Sequence, residues 1–198
     1  DPVRFITNKS SGKQGYEIAK SLSRRGFNTT LISGPTNLTM DEDIKLIKVE
    51  TAEEMFKATQ INLPTDIAVF SAAVADYKIN KNSQNKIKKQ EKLNITLEQN
   101  IDILNYVSNH NSMRPKLVIG FAAETSNLDK NAISQLKNKN CDWIVAIDVS
   151  KKNIGFKSDY NEVTIHYKNT PNKKEKLSLK KKSEIAEEIV DRIVNQIN

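Results

Sequence analysis

Cysteine is almost absent from this chain. Cys141 is the only one in 198 residues, so an internal disulfide is excluded, and its apolar setting "NCDWIVAIDVS" suits a reduced compartment such as the cytoplasm. Long hydrophobic runs are missing as well; none approaches the roughly 18 residues of a membrane span, which excludes a helical membrane protein. Histidine is scarce. His110 and His166 lie in unrelated segments and neither pairs in sequence with Cys141, so the spacing offers no zinc site and no nucleophilic triad. Two nucleotide signatures are also lacking, the G-x-x-x-x-G-K-[ST] phosphate loop and the G-x-G-x-x-G dinucleotide fingerprint. Sequons occur at Asn8, Asn28, Asn37 and Asn94, but no charged-then-apolar leader accompanies them, and they are discounted. The chain opens on "DPVRFIT" without an initiator methionine, and the expectation is a fragment of something longer.

What remains is an ordinary globular composition, 37% hydrophobic and 28% charged, of a length that suits one domain over residues 1–198. Thirty-one Lys plus Arg against 24 Asp plus Glu give a net charge of +7, which favours anionic partners without choosing among them.

Strands and helices alternate along the chain. "KQGYEIAKSLSRRG" carries Ile18, Ala19 and Leu22 at helical spacing and stops at Gly26. "FNTTLISGP" and "IKLIKVE" read as short strands. "TAEEMFKATQIN" reads as a helix with Thr51 at its N-cap and acidic residues in its first turn. "DIAVFSAAVADY", "LVIGFAAET" and "DWIVAID" each hold a buried-type strand, with a helix predicted from about Leu128 to Lys139. Short apolar strands between helices are the mark of a parallel sheet covered on both faces. Near the end, "NEVTIHYK" and "EKLSLK" flank the turn-rich "NTPNKK" as a hairpin, and "KKSEIAEEIVDRIVNQI" closes the chain as an amphipathic helix. Residues 77–92, "YKINKNSQNKIKKQEK", form a loop by composition.

Ligands of open parallel sheets bind at the carboxyl ends of the strands. The decapeptide "ITNKSSGKQG", residues 6–15, fits two readings there. One is a plain N-cap turn; the other is a backbone cradle for phosphate or carboxylate, with Gly12 and Gly15 allowing close approach. Spacing alone does not separate them. "SAAVADYK" ends a strand in small residues, Ala72 and Ala73, that leave room for a flat ring or ribose, with Asp76 able to accept from hydroxyls; packing and turn capping explain the same residues equally well. Lys86, Lys88 and Lys89 read best as a solvated run, and otherwise as mobile charges that close over a polyphosphate. In "GFAAETSN", Phe121 is ordinarily a core side chain, but it could offer an aromatic face. "YKINK" mimics the Tyr-x-x-x-Lys pair of short-chain reductases, and is rejected because it enters an Asn-rich loop unsuited to a helix.

Seven stretches in order, "DPVRFITNKSSGKQG", "LISGP", "FSAAVADYK", "NKIKK", "VIGFAAET", "DWIVAIDVS" and "GFKSDYNEV", resemble the bacterial phosphopantothenate–cysteine ligase, usually the C-terminal half of a bifunctional coenzyme A biosynthesis flavoprotein. They run from residue 1 to about 163. The resemblance implies an α/β Rossmann-like fold, mostly parallel with helices on both faces, plus a small β-hairpin dimerisation element. The implied reaction joins 4'-phosphopantothenate and cysteine at the expense of CTP, through an acyl-cytidylate, with Mg2+ on the triphosphate. The implied partners are these small molecules, a second copy in a homodimer, and a fused FMN-dependent phosphopantothenoylcysteine decarboxylase domain.

Carried over by motif, Asn8 handles the acyl-cytidylate and Ser10, Ser11 and Gly12 bind phosphate. Ala72, Ala73 and Asp76 line the nucleotide pocket and Lys86 covers the triphosphate. Asn100, Ile101, Asp102 and Ile103 match a nucleotide-binding segment, Phe121 matches a nucleotide contact, and Lys139 matches one of two phosphate-binding lysines. Three positions depart from the family pattern: Gln135 replaces the other lysine, Ile101 a proline, and Ile147 an asparagine. The glycine-rich turn expected before "DPVR" is absent from these residues. The alternatives are an NAD(P)-dependent short-chain reductase, whose fingerprint could only precede residue 1, and a nucleic-acid binder using the lysine-rich segments 86–92 and 173–182, for which no reading motif is present.

Overall fold

A computed structural model describes residues 1–150, 154–155, 158–170 and 173–197. Phe156 and Lys157 of the "GFKSDYNEV" stretch, and Pro171 and Asn172 of the predicted hairpin turn, lie outside the described residues.

The order is α1 (Lys13–Arg24), β1 (Thr30–Ser33), β2 (Lys45–Lys48), α2 (Ala52–Ile61), β3 (Ile67–Phe70), β4 (Tyr77–Ile79), β5 (Leu97–Gln99), α3 (Ile103–Ser108), β6 (Leu117–Glu124), α4 (Leu128–Asn138), β7 (Trp143–Asp148), β8 (Tyr160–Tyr167), β9 (Lys174–Lys181) and α5 (Lys182–Ile197). The principal sheet runs β3-β6-β7-β8-β9. Its first three strands are parallel, with Ile67 opposite Leu117 and Phe121 opposite Val145, while β8 and β9 add on antiparallel. β1 and β2 form a separate parallel pair, and β4 and β5 a separate antiparallel one.

The period-two alternation of β6 and β7 builds a core on each face of the sheet. Leu117, Ile119, Trp143 and Val145 face one way, onto Ile18 of α1 and Ile185, Ile189 and Ile193 of α5. Val118, Ala122, Ile144 and Ala146 face the other, onto Leu104 of α3 and Ala132 and Leu136 of α4. The four-residue spacing of Ile185, Ile189 and Ile193 places all three on one stripe of α5, each fully buried and contributing about 1.5–3 kcal/mol by leaving water. Gly120 is needed for this layering. A Cβ there would stand 2.6 Å from Leu104 Cδ2 and 2.8 Å from Ile144 Cδ1, so its absence lets α3 approach the strand.

The strands and helices predicted from periodicity are present, and Thr51 makes a full capping box with Glu54 on α2. Three features differ from the sequence reading. The C-terminal hairpin β8–β9 is not an appended element; it completes the principal sheet, and Leu177 and Val163 lie in its core. The segment 77–92 is not loop throughout, because Tyr77–Ile79 pairs with Leu97–Gln99 as β4 and β5. Helix α3 follows at once; its six residues are too few to show a helical period, but Asp102 caps it by accepting from Asn105 N at 2.9 Å.

Candidate active site

The carboxyl ends of β1 and β3 converge on the start of α1. Gly12, the N-cap residue, has φ +74°, a left-handed conformation that glycine adopts without strain, and a Cβ on it would meet Thr36 Cγ2 at 2.8 Å in the turn after β1. A Cβ on Gly15 would meet Ser71 Oγ, just past β3, at 2.7 Å. Glycine at these two positions lets the helix start seat against both loops.

Asn8 fastens this corner. Its Nδ2 donates to the carbonyl of Ala73, and its Oδ1 accepts from Ser10 N at 2.8 Å. An amide nitrogen carries two protons, so one remains for a ligand. Ser10 Oγ accepts from Gly12 N at 3.4 Å and Ser11 Oγ from Lys13 N at 3.5 Å, both long bonds. The α1 N-terminus has no side-chain cap and no acidic residue in its first turn. Elsewhere the chain caps its helices with side chains, Thr51 on α2 and Asp102 on α3; α4 also starts uncapped, but Asp129 in its first turn supplies a negative charge. The α1 start therefore holds its first N–H groups only in two long serine contacts, with no acidic side chain against its positive dipole end.

The residues expected to line a nucleotide pocket lie next to this turn, joined to it by the Asn8–Ala73 bond. Ala72 and Asp76 are exposed and Ala73 is half-buried. Asn100 ties the segment down, donating from Nδ2 to Ala75 O at 3.1 Å and from its backbone N–H to Asp76 O at 2.7 Å, so "SAAVADYK" and Asn100–Ile103 are brought together. Lys139, at the C-cap of α4, reaches the same segment through an ion pair with Asp102 at 3.4 Å. Gln135 donates to Glu124 Oε1 at 2.9 Å and Asn131 to Glu124 Oε2 at 2.8 Å, so both oxygens of that carboxylate, at the end of β6, are taken by neutral amides.

Two predicted residues stand apart. Lys86 is exposed and lies beside the first four residues: Arg4 Nη2 donates to Ile87 O at 2.9 Å, and Ile87 N donates to Asp1 Oδ2 at 3.1 Å. With Arg4, Ile87, Lys88 and Lys89 it lines a groove of about 420 Å3. Phe121 is half-buried and packs against the α1–α5 core, as a core phenylalanine does. Ile101 is exposed just ahead of α3, while Ile147 packs against the same core as Phe121. Burial raises the Cys141 thiol to about 11, which removes it as a nucleophile at neutral pH. Tyr77 sits on strand β4, so no helix sets it against Lys81 as a reductase pair would need. Among the described residues no group of three or more His, Cys, Asp or Glu side chains could hold a metal ion, and no helix is long and apolar enough to cross a membrane.

Ser71 and Gln14 belong to this corner too, and sequence reading passed over both. The only available signal was their place beside the glycine turn and at the end of β3.

A doubly covered, mostly parallel core, with an uncapped helix start and a small-residue loop at its carboxyl edge, defines a Rossmann-like α/β domain. Within that class the chain belongs to the family described as the DNA/pantothenate metabolism flavoprotein C-terminal domain, which it matches over residues 1–197. It is 41% identical over 198 residues to the coenzyme A biosynthesis bifunctional protein CoaBC of Haemophilus influenzae, covering 99% of this chain and 48% of that protein. The protein of the same name from Escherichia coli K12 is 39% identical over 201 residues, with 99% and 48% covered. The chain thus spans about half the length of the curated relatives it matches. Among solved structures, the C-terminal domain of a coenzyme A biosynthesis bifunctional protein CoaBC superposes with a TM-score of 0.80 at 35% identity, covering 100% of this chain and 88% of that one. The DNA/pantothenate metabolism flavoprotein from Streptococcus pneumoniae shares the fold, with a TM-score of 0.81 at 22% identity and coverage of 99% and 93%.

Proposed function

We propose that this chain is the phosphopantothenate–cysteine ligase unit of a bifunctional coenzyme A biosynthesis protein, using CTP. The observation that carries the reading is the uncapped, acid-free start of α1, fastened by Asn8 to the end of β3 in a chain whose relatives bear that biosynthetic name. In the first step a carboxylate oxygen of 4'-phosphopantothenate attacks the α-phosphorus of CTP, and the α–β bridging bond breaks to release pyrophosphate. In the second, the cysteine amine attacks the acyl carbon, CMP leaves with the bonding pair, and the amine loses a proton.

In this scheme the start of α1 receives phosphate, the Gly12 and Lys13 N–H groups exchanging their long contacts with the Ser10 and Ser11 hydroxyls for it, and the free proton on Asn8 Nδ2 faces the acyl phosphate, where negative charge develops. Ala72, Ala73 and Asp76, with Asn100 to Ile103 behind them, hold the nucleoside; Phe121 flanks it from β6. Lys139 and Lys86 supply charge to the phosphates, Lys86 from its own side of the molecule. Mg2+ would bind the triphosphate oxygens and neutralise their charge; with no protein donor cluster among the described residues, it rides on the nucleotide.

The same reading places the protein in the cytoplasm, fused to an FMN-dependent decarboxylase. It also makes the chain a homodimer, since Tyr77, Leu93, Ile95 and Leu97 leave an exposed apolar surface at β4–β5 that a second copy could cover. The nucleotide-dependent release of pyrophosphate tests the reading as a whole.

A further inference from the structure

A buried lysine lies next to the anion turn and has no part in the scheme above. Lys182 opens α5 and is only 5% exposed. Its Nζ donates to Gly155 O at 2.9 Å, its backbone N–H donates to Asp159 O at 2.9 Å, and its carbonyl accepts from Gln14 Nε2 at 3.2 Å. Gly155 has φ +109°, a conformation that other residues rarely adopt. One residue thus contacts Gly155, Asp159 and the second position of α1. The Asp159 carboxylate in turn pairs with Lys13, the first residue of α1, directly after Gly12.

Burying an ammonium is costly, and here burial lowers the Lys182 pKa, the nearby charge of Lys13 lowers it further, and Asp159 opposes both. A well-packed apolar side chain would fill the same volume at less cost. The directional side-chain bond to the Gly155 carbonyl is what an apolar residue could not provide, whereas the backbone bond to Asp159 would persist.

We infer that Lys182 is a positioning residue for the anion turn: its ammonium anchors Gly155 while its backbone N–H holds Asp159, and the two anchors together set the Asp159 carboxylate against the Lys13 ammonium next to Gly12. This rests on the reading of that turn as a phosphate site. Positioning and simple charge make opposite demands on Asp159. Removing its negative charge leaves the corner more positive, so charge alone predicts tighter anion binding after Asp159→Asn, whereas positioning predicts weaker binding.

The experiment titrates inorganic pyrophosphate into the chain and follows the backbone amide resonances of Ser11, Gly12 and Lys13, with thermal unfolding as the check on folding. Lys182→Met weakens binding about tenfold and Asp159→Asn about threefold, and the double variant is no weaker than Lys182→Met alone, because both act through one linkage. A merely structural lysine would lower the melting temperature and leave the pyrophosphate affinity of the folded protein unchanged. Tighter or unaltered binding in Asp159→Asn, or effects that multiply in the double variant, overturns the inference. If Lys182→Met does not fold, the sign of the Asp159→Asn effect decides, since that side chain is 69% exposed. An unmodified chain whose three amides ignore pyrophosphate overturns the phosphate reading of the turn, and the inference with it.

Discussion

The side-chain amide of Asn8 donates to the backbone carbonyl of Ala73, 65 positions further along the chain. That single bond joins the turn before α1 to the loop that leaves β3. Asn8→Asp removes the donor and sets a carboxylate against the carbonyl. In the proposed scheme the amide serves the acyl phosphate rather than the nucleotide, so pyrophosphate release should stay within about tenfold of the unmodified chain, while transfer to cysteine falls by roughly 100-fold or more. Rapid-quench assays of the two half-reactions check this; equal loss in both would remove Asn8 from the role.

Lys86, proposed to supply charge to the phosphates, lies on a loop that Asp1 and Arg4 hold through Ile87. Lys86→Gln should raise the KM for CTP about tenfold, the loss of one charge-assisted contact, and leave the KM for cysteine unchanged. Steady-state kinetics with each substrate varied in turn would show it. Unchanged CTP kinetics would return the segment to a solvated lysine run.

The close approach of α3 to β6 makes a stability prediction independent of function. Gly120→Ala forces a methyl group to within 3 Å of Leu104 and Ile144 and should cost about 1–3 kcal/mol by overpacking. Urea unfolding measures this, with the substitution Gly34→Ala as the comparison, because a Cβ at Gly34 has nothing within 4 Å.

On the opposite edge of the domain, Arg192 Nε donates to Glu175 Oε2 at 2.7 Å. That bond holds the Glu175 carboxyl below its ordinary 4.5. A depressed carboxylate stabilises the fold fully above its unfolded pKa and loses that contribution as pH falls through the folded value. Glu175→Gln should therefore cost about 0.5–1 kcal/mol at neutral pH, and the deficit should shrink as the pH is lowered from about 5 toward 2. Denaturant midpoints of the two proteins across that range give the answer.

Much of this was legible in the residues. Short apolar strands such as "LVIGFAAE" set between helices dictated a sheet covered on both faces, and "KKSEIAEEIVDRIVNQI" an amphipathic closing helix, and both are present. The glycine turn at 12 was visible as a turn, but that α1 starts without a side-chain cap or first-turn acid could be read only from the structure. Helix α3 and strand β5 were missed because six and three residues carry too little period. The joining of β8–β9 to the principal sheet depends on pairing between Val145 and Ile165, which no local pattern encodes. The Lys182 contacts are likewise long-range: Gln14 lies 168 positions from it, and only packing of α1 on α5 brings them together.

The most direct test is pyrophosphate release from CTP by this chain, with Mg2+ and 4'-phosphopantothenate, in the presence and absence of cysteine. The ligase reading predicts release that depends on phosphopantothenate, with the acylated cysteine product formed only when cysteine is added. A folded chain that releases no pyrophosphate from CTP or from ATP under these conditions would contradict it.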